Sequence, residues 1–133
     1  MLSPFIRTLA SVAILALLSS CNTATPANPY TGSYEGTFTA DLGPQEGTLT
    51  LNVAQDGKWT SNISNTTLGN LKGTGSGTVA NDGTITGTYI YPGDTNIMVS
   101  GKGVAAANKL TAALKATAGT QDVGNIFINL TKK

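Results

Sequence analysis

Four carboxylates and three aromatic residues are the side chains of this 133-residue sequence with the most chemical potential: Asp41, Glu46, Asp94 and Asp122, and Trp59, Tyr89 and Tyr91. Gathered together, the carboxylates could serve as oxygen ligands for calcium or as an acid–base pair. Their surroundings, DLGPQE at 41–46, PGDT at 92–95 and AGTQD at 118–122, are also ordinary turn sequences, and no calcium-loop spacing occurs. The aromatic residues could wall a small hydrophobic ligand or simply fill a core. Histidine is absent, so a Ser-His-Asp set cannot be assembled, and the usual proton carrier near neutral pH is missing. No G-x-S-x-G motif is present. GTGSGT at 73–78 lies between strand signals with no helix after it, which removes the phosphate-loop reading. Charged residues make up 11% and the net charge is +1, so there is no basic surface for nucleic acid. The expectation is a protein that is not an enzyme and holds neither cofactor nor metal.

The elements that would position these residues are written in a repeat. VAQDGKWT starts at 53, VANDGTIT at 79 and VAAANKLT at 104. Taking Gln55-Asp56-Gly57 as a three-residue loop, with Gly57 at positive φ, gives a hairpin in which Val53 faces Trp59, Leu51 faces Ser61 and Leu49 faces Ile63. The same loop in the second copy sets Val79 against Ile85, Gly77 against Gly87 and Gly75 against Tyr89. A two-residue loop there would mix apolar and polar faces, and burial specifies register. Asn108 replaces the glycine in the third copy, as the next best residue at positive φ.

Extension of these hairpins predicts eight strands, near 33–40, 47–54, 58–64, 70–80, 84–91, 96–104, 109–117 and 123–131. Several alternate strictly, as with Leu49, Leu51 and Val53 on one face and Thr48, Thr50 and Asn52 on the other. The sixth is ambiguous. Ile97, Val99, Gly101 and Gly103 form an inner face, yet the octet register sets Val104 opposite Leu110, and a bulge near 101–103 would reconcile the two. The fold class is all-β: an antiparallel eight-stranded up-and-down meander that most simply closes into a small β-barrel, with an open meander or two-sheet sandwich as the alternative. The inner glycines 36, 73, 75, 77 and 87 have two explanations. Either Trp59, Tyr89 and Tyr91 cover them, or they floor a cavity.

The first residues form an address. Arg7 precedes an apolar run from Leu9 to Leu18, too short to span a bilayer as a mature helix but suited to a secretory signal. The run closes on Leu18-Ser19-Ser20-Cys21, which resembles the lipobox of bacterial lipoproteins. That resemblance implies cleavage before Cys21, diacylation of its thiol and acylation of the new amino terminus with chains such as palmitate. It also implies a lipid-anchored location in the cell envelope, with Asn22 directing the protein to the outer membrane where the source has two. The expected organisation is therefore a signal peptide at 1–20, the lipidated cysteine and a flexible tether at 21–32, and a barrel domain at 33–133. Within the tether, NTATPANP (22–29) lacks an apolar period and carries two prolines, so it should be extended.

DGTITGTY (82–89) is similar to a hairpin of the avidin family, and the whole domain loosely resembles the small up-and-down barrels of avidins and lipocalins. Avidins line their biotin site with several tryptophans, whereas Trp59 stands alone here, so biotin binding does not carry over. All octet turns fall at one end of such a barrel, together with the start of the first strand and the end of the last. The tether then joins that end, and the connections at 41–46, 65–69, 92–95 and 118–122 point away from the membrane. Loops on a rigid scaffold are where binding sits. The functional expectation is an envelope lipoprotein whose membrane-distal loops, through Asp41, Glu46, Asp94 or Asp122, contact an envelope protein or a cell-wall component. The alternative is a barrel that holds a small hydrophobic ligand against Trp59, Tyr89 and Tyr91.

Overall fold

A computed structural model describes residues 26–41, 44–93 and 96–133. Cys21, the lipobox and Asp94 lie outside the described residues. The chain forms eight strands: β1 (Gly32–Ala40), β2 (Gln45–Val53), β3 (Lys58–Asn65), β4 (Leu71–Val79), β5 (Thr84–Ile90), β6 (Ile97–Ala106), β7 (Lys109–Ala118) and β8 (Gln121–Lys132). Each pairs antiparallel with its sequence neighbours, and β8 pairs with β1 from Tyr34↔Lys132 to Ala40↔Ile126, closing the barrel. Closure leaves no strand edge to template association, which an open sheet of the same strands would expose.

Alternation explains why these segments are strands. In β2 Leu49, Leu51 and Val53 are buried while Thr48 and Asn52 are exposed, and β7 buries Leu110, Ala112, Leu114 and Ala116 in the same way. Each buried Val, Leu or Ile contributes roughly 1.5–3 kcal/mol, and a one-residue slip would turn the whole set outward. The outer face is rich in threonine and other polar side chains, the reverse of the lipid-facing band of a membrane-spanning barrel.

The first two octet hairpins have the expected register, with Val53↔Trp59 and Val79↔Ile85. Gly57 and Gly83 both take positive φ there, at 88° and 94°. The third octet differs. Ala105 pairs with Leu110 and Ala106 with Lys109, so Val104 lies opposite Thr111, not Leu110, and is 61% exposed. The loop has only two residues, Ala107 and Asn108, both at positive φ (49° and 66°), as a type I′ turn requires. Shortening the loop by one residue keeps Ile97, Val99, Gly101 and Gly103 on one continuous inner face, so β6 has no bulge. The irregularity is elsewhere, between β7 and β8, where Ala116↔Gly124 is followed by Thr117↔Asp122 and Val123 is the extra residue.

The end that carries the octet turns, called the base below, is closed by the segment just before β1. Asn28, only 6% exposed, donates its backbone N–H to Gln55 O (3.0 Å) and its Nδ2 to Val79 O (2.8 Å). Its Oδ1 accepts from Tyr30 N at 2.8 Å. Tyr30 reaches across to donate to Gly103 O at 3.4 Å, and Tyr34 OH donates to Tyr30 O at 2.8 Å. The stretch expected to be free tether through residue 32 is thus docked from Asn28 onward, because Asn28 satisfies carbonyls of two neighbouring turns.

Candidate functional site

Below the middle of the barrel the interior is filled. Trp59 spreads its indole over Gly77 and Gly87, where a Cβ on either residue would meet Trp59 Cζ2. Tyr89 covers Gly75, and Tyr91 with Ile63 covers Gly73. The absent side chains are therefore replaced by aromatic rings. Only about 20 Å³ remains in this half, a void lined by Tyr30, Trp59, Leu110 and Ile128 among others. Trp59 Nε1 is buried there without a hydrogen-bond partner among the described residues.

Tyr89 is the partition between this filled half and an open one. It stacks at a tilt on Trp59, with centroids 5.7 Å apart and planes at 37°. Its hydroxyl donates to Ser61 Oγ (3.1 Å), and Ser61 donates on to Thr50 O (2.6 Å). Burial pushes the Tyr89 hydroxyl pKa up; the Ser61 bond opposes that shift, and neighbouring Tyr91 adds to it. On its other side Tyr89 lines a recess of about 280 Å³ at the end away from the base. Phe38, Ile63, Tyr91, Ile97 and Ile126 supply the apolar wall, and Gln45, Gln121 and Asp122 the polar rim. Gln45 is held by Asn65 Nδ2 at 2.8 Å, and Asn65 is itself 1% exposed and accepts from Leu68 N. The rim is thus fixed by the same asparagine that orders the β3–β4 connection.

Of the three expected distal carboxylates among the described residues, Asp41 and Asp122 come together and Glu46 does not. Asp41 accepts from Asn125 N (2.7 Å) and from Asn125 Nδ2 (3.0 Å), tying the end of β1 to β8. Asp122 accepts from Gly124 N at 2.8 Å; it sits in the bulged start of β8, not in a loop, because the β7–β8 connection is only 119–120. Together these two carboxylates line a shallow depression with Gly124 and Asn125. Glu46 stands apart on the outer face of β2, where its carbonyl accepts from Thr66 N, Thr66 Oγ1 and Thr67 N, and its N–H donates to Thr67 Oγ1. Among the described residues no cluster of three or more His, Cys, Asp or Glu side chains is present. Of the three aromatic candidates, Tyr89 and Tyr91 line the recess, whereas Trp59 lies one layer below it.

A broader concavity of about 1000 Å³ lies on the outside, across β1–β5, lined by outward residues such as Thr37, Thr48, Asn62 and Lys72. Apolar surface from residues such as Ile90 and Pro92 also lines it, and it is more open to solvent than the recess. Asn28, Ser61 and Asn65 were not singled out from sequence. Their signal is an inward register position occupied by a polar residue, which is legible for Ser61 and Asn65 once the hairpin register is known.

Comparison with family models, curated proteins and solved structures finds no match to this chain. The geometry of the barrel therefore carries the functional reading.

Proposed function

We propose that this protein is a non-catalytic, lipid-anchored binding barrel of the bacterial cell envelope, which receives a small apolar ligand in the recess at its open end. The recess carries this reading: an aromatic-walled cavity that opens away from the base, nearly as large as the smallest common ligand pockets of about 300 Å³. Several features agree with a non-catalytic role. The chain has no histidine, and Asp41 and Asp122 are engaged in holding backbone and amide groups. Anchoring rests on Leu18-Ser19-Ser20-Cys21, seven residues before the docked Asn28. Lys58, Lys109, Lys132 and Lys133 lie at the base, offset in part by Glu35, Asp56 and Asp82; lysines near an anionic leaflet each contribute about 1 kcal/mol of attraction. Docking of an envelope protein or cell-wall component on the distal loops ranks second, because Asp41 and Asp122 accept from groups of β8 and Glu46 stands apart from them.

Trp59 is the only tryptophan, and its contact with Tyr89 makes its emission a reporter of the recess. Titration of toluene into the full-length protein is expected to give a saturable change in Trp59 fluorescence, lost in Ala116→Leu, which fills the recess wall. A linear, non-saturable response that is the same in both proteins would overturn the ligand reading.

A further inference from the structure

We propose that the recess selects small organic cations, with a protonated amine at Asp122 and an apolar, ring-bearing body against Tyr89 and Tyr91. The inference rests on the ligand reading above and names its chemical class. Among the described residues Asp122 is the one charged residue bordering the recess, and no lysine or arginine borders it. The nearest cation by register is Lys115, paired with Asn125 and exposed on the outer face.

Three physical features point the same way. Asp122 is oriented by Gly124 N at one oxygen, Oδ1, and a carboxylate offers several further acceptor positions. The bulge makes that orientation possible, with Gly124 at φ 96°. Asp41 shares the adjoining depression with Asp122, so a second negative charge reinforces the potential at the same rim. The rings of Phe38, Tyr89 and Tyr91 line the recess, and the face of an aromatic ring attracts a cation and does not attract an anion. Size sets the rest. A buried apolar cavity of about 150 Å³ accepts a benzene ring, so 280 Å³ has room for one ring and a short chain ending at the rim.

The test compares three probes that share a phenyl ring and a three-carbon chain at pH 7: 3-phenylpropan-1-amine, 3-phenylpropan-1-ol and 3-phenylpropanoate, each titrated into the protein with Trp59 emission and calorimetry as readouts. The amine should bind roughly fivefold more tightly than the alcohol, equivalent to about 1 kcal/mol, and the carboxylate should bind most weakly. Asp122→Asn keeps the oxygen that accepts from Gly124 N, so the fold and bulge are retained. In that variant the amine should fall to the affinity of the alcohol, with the alcohol unchanged. If the alcohol equals or exceeds the amine in the unsubstituted protein, cation selection is overturned and the ligand reading stands. If none of the three binds, both fail.

Discussion

Trp59 is positioned as much by what its neighbours lack as by its own contacts. Its indole occupies the space that side chains at 77 and 87 would need, and both positions are glycine. In Gly87→Ala the new methyl group would meet Trp59 Cζ2 and the Ser76 carbonyl. Tyr89 packs beside the indole with ring centroids 5.7 Å apart, and only about 20 Å³ of void adjoins it. Overpacking of this kind typically costs about 1–3 kcal/mol; a lower urea midpoint with unchanged slope is the expected result. Alternation alone put Trp59, Tyr89 and Tyr91 on the inner face. It did not say that Trp59 would seal the lower half while the two tyrosines faced a recess. That division depends on depth along the barrel axis, which follows from strand stagger and closure, not from the period of two.

At the level of elements, the three octets look equivalent in sequence and are not equivalent in the fold. Glycine at the fifth position of the first two admits a three-residue loop. The third has Ala107-Asn108, and the chain takes a two-residue turn that forces Ala107 to φ 49°. An alanine at positive φ is strained by about 1–2 kcal/mol, and Asn-Gly is the pair best suited to this turn. The double substitution Ala107→Asn with Asn108→Gly is therefore expected to raise stability by about 1 kcal/mol, read as a higher denaturation midpoint. The backbone bond from Lys132 N to Asn108 O does not depend on either side chain. The strap at Asn28 was hidden for a related reason. Pro26 and Pro29 mark it as an extended segment, but the carbonyls it caps belong to turns 27 and 51 residues further along the chain.

For the whole molecule, closure and polarity bear on where the protein resides. The inner face is apolar and the outer face polar, with large exposed hydrophobics such as Met98, Val104 and Phe127 scattered singly. A barrel of this kind has no lipid-facing band, so under the anchoring proposal membrane association depends on Cys21 and its acyl chains. Cys21→Ser is expected to move the protein from the membrane fraction to the aqueous one, as followed by fractionation and by loss of acyl label. Retention of the substituted protein on membranes would overturn the anchor.

The sequence by itself determined eight strands, two of the three hairpin registers, the inner and outer faces and the sorting of turns to one end. All of these depend on local alternation and on which residues tolerate positive φ. Only the tertiary structure decided that β1 pairs with β8, that Asn28 and Tyr30 close the base, and that the interior is filled below Tyr89 and open above it. Those features join residues far apart in the chain, and their geometry is fixed by the closed sheet as a unit. Asp122 shows the difference most plainly: as sequence it is a turn residue, and beside the bulge at Gly124 it becomes the charged rim of an aromatic recess.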